Sequence, residues 1–234
     1  MEALKYVLPL YWPIRNKTKT KLMQNIKSVL IIAAFIFAAS FKLDAQNFLS
    51  VQGNKLIDSQ GQEVVLTGVN WFGFETNNLF PHGIWSRDTK SMLQQIKDQG
   101  FNVIRLPWCN RILEADATIN LNAYGTDPYT GVTPMNEYES TLSTPLELMD
   151  VIVQWCQDNN MKLILDNHSR QPDGYMNEML WYTDQTPESQ WIADWVTLAS
   201  RYKDYDAVIG MDLNNEPHGN YGQGSTWGNS NHAP

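Results

Sequence analysis

Hydrophobic and polar positions after residue 46 alternate between β-rich runs and segments with helical spacing. Gly, Asn and Gln bends separate the first β-rich runs, which is typical of a small hairpin that leads into a strand. Leu148, Ile152 and Trp155 recur on one face of a helix, and Met92, Leu93 and Ile96 also have helical spacing. The pattern predicts β-structure at 48–57 and 63–71, strands at 102–108, 162–166 and 207–213, and helices at 88–99, 145–160 and 187–202.

Residues at the ends of these segments support the predicted helix limits. Asp88 is a candidate N-cap, since its side chain can accept a hydrogen bond from the first turn. Gly100 suits the position after the last turn, where the left-handed conformation is common. Pro145 fits the first turn of the second helix, where no backbone donor is needed.

Four strands that alternate with three helices predict a parallel α/β sheet with right-handed crossovers. The longest loops follow the strands, and the carboxyl ends of parallel strands are where α/β proteins carry their sites. Two architectures remain open, a doubly wound sheet and a closed barrel. The turn after the first strand, NWFGFETNN, lacks the G-x-G-x-x-G of a doubly wound sheet. The pattern therefore favours the barrel.

The N-terminal segment has the features of a secretory signal. Lysines precede a 14-residue apolar run at 28–41, which is short for a bilayer span but suits the core of a signal peptide. We expect residues 1–45 to be a signal peptide cleaved after Ala45, with Met23 as an alternative start. An uncleaved anchor helix is the other interpretation. In either case residues 46–234 are predicted to be exported to the medium, periplasm or cell surface. If the signal is cleaved, no stable membrane association is expected.

Charge and cysteine content exclude several classes of protein. Seven of the 17 basic residues but only two of the 25 acidic ones precede residue 46, so residues 46–234 carry a net charge of −13. Such an acidic chain is not expected to bind nucleic acid, which requires a basic face. Two cysteines exclude a disulfide-rich scaffold and a four-cysteine zinc site. Export permits a Cys109–Cys156 disulfide, although nothing in the sequence places the two thiols within bonding distance.

Polar residues at three successive strand ends form the strongest candidate site. Glu216, in Asn215-Glu216-Pro217, directly follows the fourth strand, and a carboxylate there projects into the mouth of a parallel sheet. Arg105 and His168 lie near the ends of the second and third strands. Singly, each of these residues is explained as well by a structural ion pair or hydrogen bond. Together, at adjacent strand ends, they indicate a catalytic rim.

Other site chemistries have less support. Asp166, His168 and Asp212 are imaginable metal ligands, but no H-x-x-E-H-like spacing supports them, so no metal is expected. A Ser–His nucleophile pair lacks the G-x-S-x-G elbow.

Tryptophans indicate the class of ligand. Flat rings on an open cleft stack on the apolar faces of sugar rings, while polar loop residues meet the hydroxyls. Helix faces hold a second group, Trp155, Trp191 and Trp195, which is most simply core. The tryptophans at strand ends or in long loops are Trp71, Trp85, Trp108, Trp181 and Trp227.

Four blocks, in order, resemble glycoside hydrolase family 5, the cellulase family, in its bacterial endoglucanase branch. These are GVNWFGFET at 68–76, HGIWSRD at 82–88, NVIRLP at 102–107 and IGMDLNNEPH at 209–218. The resemblance implies a (β/α)8 TIM barrel and retaining hydrolysis of β-1,4-linked glucan, with no cofactor.

The resemblance also implies roles for individual residues. Glu216 is expected to be the acid/base, Asn215 to contact the sugar 2-hydroxyl, and Arg105 and His168 to support the catalytic carboxylates. The expected substrate-binding side chains are those of Trp85, Trp71, Trp181 and His82.

One departure from the family concerns the second carboxylate. A retaining glycosidase needs a nucleophile about 5–5.5 Å from the acid/base, and the family supplies a Glu from its seventh strand. Glu75, Asp166 and Glu178 do not occupy that position. A (β/α)8 barrel takes about 250 residues, so we expect residues 46–234 to be the first four βα units, truncated and without catalytic turnover.

Two further functions stay open. A half-barrel that pairs with a copy of itself would cover its open edges and bind glucan without cleaving it. A hydrolase of the same family acting on mannan or xylan is the other, because the sequence does not specify which hydroxyl pattern the cleft accepts.

Overall fold

The computed structural model describes residues 48–119, 141–172 and 177–219. The predicted signal peptide at 1–45, the alternative start at Met23 and the loop residue Trp227 lie outside these residues. In the described ranges, no helix combines the length and the apolar character needed to cross a membrane.

A small antiparallel sheet comes first in the described chain. It consists of β1 (Ser50–Gln52), β2 (Lys55–Ile57) and β3 (Glu63–Val64), in the order β1-β2-β3. This is the predicted hairpin. The predicted run at 63–71 is divided, because its second half forms β4 in a different sheet.

The second sheet is parallel and carries the candidate site. It contains β4 (Gly68–Asn70), β5 (Val103–Cys109), β6 (Lys162–Ser169) and β7 (Val208–Asp212), in the order β4-β5-β6-β7. A doubly wound sheet reverses its strand order at a switch point, whereas the described strands follow their sequence order. The sequential order is that of a barrel, and it brings the carboxyl ends of all four strands to one edge.

Three helices cross over between the parallel strands. They are α1 (Thr89–Asp98), α2 (Pro145–Asp158) and α3 (Glu188–Tyr202). Asp88 caps α1 by accepting from the Ser91 N–H, and Gly100 adopts φ 88° just after the helix, so both predicted ends are confirmed. α2 begins with a capping box in which Thr144 and Glu147 exchange hydrogen bonds, a feature that the sequence analysis had not identified.

The hydrophobic core lies between the parallel sheet and the three helices. Leu93 of α1, Leu148 and Ile152 of α2 and Leu198 of α3 are fully buried against it. The strands contribute their own buried residues, among them Ile104, Leu106, Leu163 and Leu165. Periodic apolar positions therefore predicted the faces that the helices bury.

Two tryptophans that the sequence placed at an open cleft belong to this core. Trp108 is fully buried and packs edge-on against Trp195, with ring centroids 5.0 Å apart. Trp71 is only 6% exposed, and its indole N–H donates to the His82 carbonyl at 2.9 Å. Trp71 is thus not the exposed sugar platform that was expected. Its position at a strand end did not reveal that the loop to His82 folds back over it.

The two cysteines are separate free thiols. Both Cys109 and Cys156 are fully buried. Cys109 lies at the end of β5 and donates to the Phe74 carbonyl at 3.2 Å, while Cys156 lies within α2. The structure therefore contains no Cys109–Cys156 disulfide.

Candidate active site

An ion-pair network joins the three strands β5, β6 and β7. Arg105 is the third residue of β5 rather than its last, and its side chain turns toward the neighbouring strands. Its Nη1 lies 3.0 Å from the Asp166 carboxylate of β6, and its Nη2 lies 2.7 Å from the Asp212 carboxylate of β7. Asp166 is fully buried. A buried carboxylate needs a compensating charge, and the guanidinium of Arg105 supplies that charge to Asp166.

Asp166 also orients the imidazole of His168. The Asp166 Oδ2 lies 2.7 Å from Nδ1 of His168, two residues further along β6. The same oxygen therefore serves both Arg105 and His168, while Oδ1 of Asp166 is buried without a hydrogen-bond partner. This pairing fixes the direction in which Nε2 of His168 points.

Asn215 completes the network from the segment after β7. Its Oδ1 accepts from Nη2 of Arg105 at 2.9 Å, and its Nδ2 lies 3.4 Å from Nε2 of His168. Arginine has no acceptor, so the amide oxygen must face Arg105 and the amide nitrogen must face His168. This arrangement matches a neutral imidazole that donates from Nδ1 to Asp166 and accepts at Nε2.

Opposing influences act on the protonation of His168. Burial is the largest, and it disfavours the charged ring. The hydrogen bond and charge of Asp166, with a further contribution from Glu75, outweigh burial and raise the pKa of His168 above its usual value. The charge of Arg105 acts in the opposite direction. Protonation would put a second donor opposite the Asn215 amide, so the network links the state of His168 to the position of Asn215.

Glu216 follows Asn215 and is exposed at the carboxyl edge of the sheet. Its φ is 41°, in the left-handed region that non-glycine residues rarely adopt. The preceding backbone is tied to β6, since the Asn215 N–H donates to the Asn167 carbonyl at 2.9 Å. The Glu216 carbonyl in turn accepts from Nδ1 of His218 at 2.8 Å. Surrounding contacts thus hold an unfavourable backbone conformation at the candidate acid/base.

Three aromatic rings meet in the loop that follows β4. His82 lies between Phe72, at 4.3 Å between centroids, and Trp85, which it meets edge-on at 4.0 Å. Trp85 and His82 are partly exposed, so each still offers ring surface to solvent. Of the expected substrate-binding residues in this loop, these two remain accessible, in contrast to Trp71.

Trp181 lies on the other side, in the loop after β6. Its indole N–H donates to Glu188 at 2.8 Å, and its ring centroid is 6.4 Å from that of Trp191. The two rings line a cavity of about 350 Å³ together with Leu213 and Pro217, beside Glu216. Trp191 was predicted to be core. The structure shows it partly buried against the core and also at the wall of this cavity, where its N–H donates to Asn167 at 3.0 Å.

The structure brings together Arg105, His168 and Asn215 in direct contact, with Glu216 next in the chain. Asp166 and Asp212 had been weighed as metal ligands, and Asp166 also as a nucleophile, whereas both carboxylates face Arg105. No group of metal-binding side chains occurs among the described residues. The sequence did offer a signal for the ion pair of Asp166. A charged residue at the end of an otherwise apolar strand, as in LILD, requires a partner when it is buried.

Arg170 is a second residue that the sequence analysis did not identify. It follows β6 in DNHSR and is 1% exposed, bridging the loops after β6 and β7. Lysine and arginine are almost never fully buried unless paired, but the sequence does not distinguish a buried arginine from a solvated one in a polar loop.

Comparison with known proteins identifies relatives of this arrangement. Residues 57–233 match the family described as cellulase, glycosyl hydrolase family 5. An endoglucanase of Paenibacillus polymyxa is 40% identical over 194 residues, which cover 83% of this chain and 44% of that protein. The major extracellular endoglucanase of Xanthomonas campestris is 38% identical over 179 residues, covering 76% of this chain and 34% of that protein.

A solved structure shares the fold. It is a complex of a variant endocellulase from Pyrococcus horikoshii with cellotetraose, with a TM-score of 0.64 and 32% identity, covering 79% of this chain and 49% of that one. The chain thus spans half or less of the length of these relatives. The match over residues 57–233, together with the sequential parallel strands, shows that the chain belongs to glycosyl hydrolase family 5 and that its sheet is part of a (β/α)8 barrel.

Proposed function

We propose that the protein to which this chain belongs hydrolyses β-1,4-glucosidic bonds of cellulose or a related β-glucan with retention of configuration. The observation that carries the proposal is the contact of Arg105, His168 and Asn215 at the edge where Glu216 is exposed. The endoglucanase relatives support the choice of substrate, as does the cellotetraose held by the Pyrococcus enzyme. No cofactor is proposed, because two carboxyl groups suffice for the reaction.

In this proposal Glu216 is the acid/base. It protonates the leaving oxygen in the first step and activates water in the second. The contacts to Arg105 and His168 orient the Asn215 amide, and its Nδ2 is proposed to donate to the sugar 2-hydroxyl. A hydrogen bond at that hydroxyl strengthens as positive charge develops on the ring. The contacts of Arg105 and His168 with Asn215 are therefore proposed to hold Asn215 and the adjoining Glu216 in position for the sugar.

The nucleophile is proposed to lie outside the described residues. The candidate carboxylates among them are committed to other partners. Glu75 is buried and accepts from the Gly73 N–H at 2.7 Å, and Asp166 is paired with Arg105 and His168. Glu178 accepts two backbone N–H groups. A polypeptide limited to residues 46–234 is accordingly proposed to lack turnover.

Trp85, His82 and Trp181 are proposed as the sugar-contacting rings. Trp85 and His82 lie after β4 and Trp181 lies after β6, and each keeps exposed surface. The sugar rings of a polysaccharide present apolar faces, and aromatic side chains can stack on these faces without any charge on the sugar. The same rings would accept mannan or xylan, so the substrate within the β-linked class is decided by assay.

Export is proposed from the signal-like segment at 1–45, and the word extracellular in the name of the Xanthomonas relative supports it. N-terminal sequencing of the protein recovered outside the cell would give Gln46 as the first residue. Recovery of the uncleaved chain in the membrane fraction would contradict this proposal.

The function is tested on the protein produced from its whole reading frame, with Glu216→Gln as the variant. Wild type is expected to cleave cellulose and cello-oligosaccharides with retention, in preference to mannan and xylan. Acid/base catalysis contributes roughly 10²–10⁴-fold, so the variant should lose about that factor on cello-oligosaccharides. On 2,4-dinitrophenyl cellobioside, whose leaving group needs no proton, azide should restore its turnover.

Other results would redirect the proposal. Full activity of Glu216→Gln would remove Glu216 from the mechanism. Oligosaccharide binding by a dimer of this chain without any hydrolysis would favour a glucan-binding role.

A further inference from the structure

Arg170 is a buried cation placed between two loops at the site. It follows β6 and is 1% exposed. Its Nη1 donates to the Leu180 carbonyl at 2.9 Å and to Oδ1 of Asn214 at 2.6 Å. Leu180 belongs to the loop after β6, which carries Trp181, and Asn214 belongs to the segment after β7. A single guanidinium nitrogen therefore connects the two loops beside Glu216.

Glu178 supplies the counter-charge and holds the start of the first loop. Its Oε2 accepts from the Arg170 N–H at 2.5 Å and lies 3.6 Å from Nε of the same residue. Its Oε1 accepts from the Gln171 N–H at 3.1 Å. Because these contacts are local to Arg170, the carboxylate is a structural partner of the buried cation. From the sequence it had been considered as a substitute nucleophile and set aside.

The segment after β7 is attached to the same loop at both of its ends. Near the start of this segment, the Oδ1 of Asn214 accepts from Arg170, and its Nδ2 donates to the Asn215 carbonyl at 3.0 Å. At the other end, the His218 N–H donates to the Met179 carbonyl at 2.8 Å. Glu216 lies between these attachments at φ 41°. Residues in sparsely populated backbone regions persist only where the surroundings over-determine them, and these two attachments add to the bonds that Asn215 makes with Asn167 and His218 makes with the Glu216 carbonyl.

We propose that Arg170 is a positioning residue for Glu216. Without touching substrate, it holds Asn214 against the loop after β6 and so keeps the acid/base carboxyl at a fixed place over the rim. The inference rests on the proposed function of Glu216. It adds that the position of Glu216 depends on Arg170. Loss of the Arg170 side chain should displace the proton donor, while Arg105, Asp166 and His168 stay paired with one another.

The first test separates the position of Glu216 from overall folding and needs no activity. Hydrogen exchange is compared in the protein from the whole reading frame and its Arg170→Met variant. Faster exchange at 177–182 and 214–218, with α2 unchanged, is expected. Unchanged exchange at 214–218 in the folded variant would overturn the proposal, whatever the enzyme does.

The second test uses the leaving group. Arg170→Met is expected to lower kcat on cello-oligosaccharides by about 10- to 100-fold, a fraction of the full acid/base contribution. KM should stay within about threefold, and turnover of 2,4-dinitrophenyl cellobioside in azide should be nearly unchanged. Arg170→Lys keeps the charge but lacks the planar guanidinium fork, and its kcat should fall between those of wild type and Arg170→Met. Equal losses on both substrates, or none, would refute a positioning role.

Two variants serve as controls. Arg111→Met removes a neighbouring arginine whose side chain pairs with Glu114 and Asp116 at the surface, and it should leave both measurements unchanged. Glu216→Gln reports on the proposed function itself. If Glu216→Gln shows no preference for the activated leaving group, the proposed function fails. The exchange experiment still decides whether Arg170 holds the segment.

Discussion

Replacing Asp166 with asparagine removes the charge that Arg105 and His168 share, while keeping the size of the side chain. Asp166 is fully buried, with Arg105 at 3.0 Å and His168 at 2.7 Å from the same oxygen. Breaking a buried ion pair by deleting one partner costs about 3–5 kcal/mol. Arg105 is 27% exposed and keeps Asp212 at 2.7 Å. The expected loss of unfolding free energy is therefore at the lower end, about 3 kcal/mol.

The loss should also depend on pH, because Asp166 raises the pKa of His168 against the opposing effect of burial. A group whose pKa is raised on folding stabilises the fold fully below its unfolded pKa, about 6.5 for histidine. That contribution is lost as the pH rises through the folded pKa. The difference in stability between wild type and Asp166→Asn should therefore be larger at pH 5.5 than at pH 8.5, by about 1.4 kcal/mol for each unit by which the His168 pKa falls in the variant.

Urea unfolding at the two pH values measures this difference, and NMR titration of the histidine rings measures the pKa of His168 directly. Asp158→Asn is the matched control, since Asp158 lies exposed near the end of α2 and accepts one hydrogen bond from Gln154. It should change stability by no more than about 0.5 kcal/mol. A loss below about 1 kcal/mol for Asp166→Asn, equal at both pH values and with an unshifted His168, would refute the assigned role of Asp166.

Two further predictions concern the backbone and the thiols. Gly73 has φ 144°, and an added Cβ would lie 2.2 Å from the Phe80 carbonyl oxygen, so Gly73→Ala should destabilise the protein by about 3 kcal/mol or more. Gly61→Ala is the control, because φ there is 78° and no atom lies within 4 Å of the added Cβ, and its cost should be about 1–2 kcal/mol. Equal melting temperatures for the two variants would contradict the prediction. Burial raises the pKa of both Cys109 and Cys156 to about 12, so a disulfide reagent at pH 8 should label neither thiol until the protein unfolds, and labelling of the native protein would contradict their burial.

Local signals accounted for most of the secondary structure. Asp88 and Gly100 bracket α1 because one accepts from the first turn and the other adopts φ 88°, and both effects involve only near neighbours in the chain. Leu148 and Ile152 face the core because a 3.6-residue period presents one stripe of an amphipathic helix to the sheet. The predicted strand limits differ from the observed ones by a residue or more. β6, predicted to end at 166, continues to Ser169, because the last paired residues of a strand depend on the neighbouring strand.

The candidate site was predictable where it depended on strand ends. Glu216 and Asn215 could be identified because they follow a strand directly, and parallel strands finish at one edge of their sheet. Exposure of the aromatic rings was not predictable in the same way. Trp71 and Trp85 both lie near the first parallel strand, yet Trp71 is buried under the chain near His82 and Trp85 is partly exposed. Which ring is covered depends on how a loop folds back.

By itself the sequence determined the order of the elements, the parallel sheet and the line of polar residues at its carboxyl edge, because these follow from short-range periodicity and chain direction. Only the tertiary structure decided the partners of the charged groups. Asp166 meets Arg105 from a position 61 residues away in the chain, and Arg170 meets Asn214 across 44 residues. A charge is buried at acceptable cost only where an opposite charge or a hydrogen-bonding partner lies within a few ångströms. That proximity is a property of the folded chain.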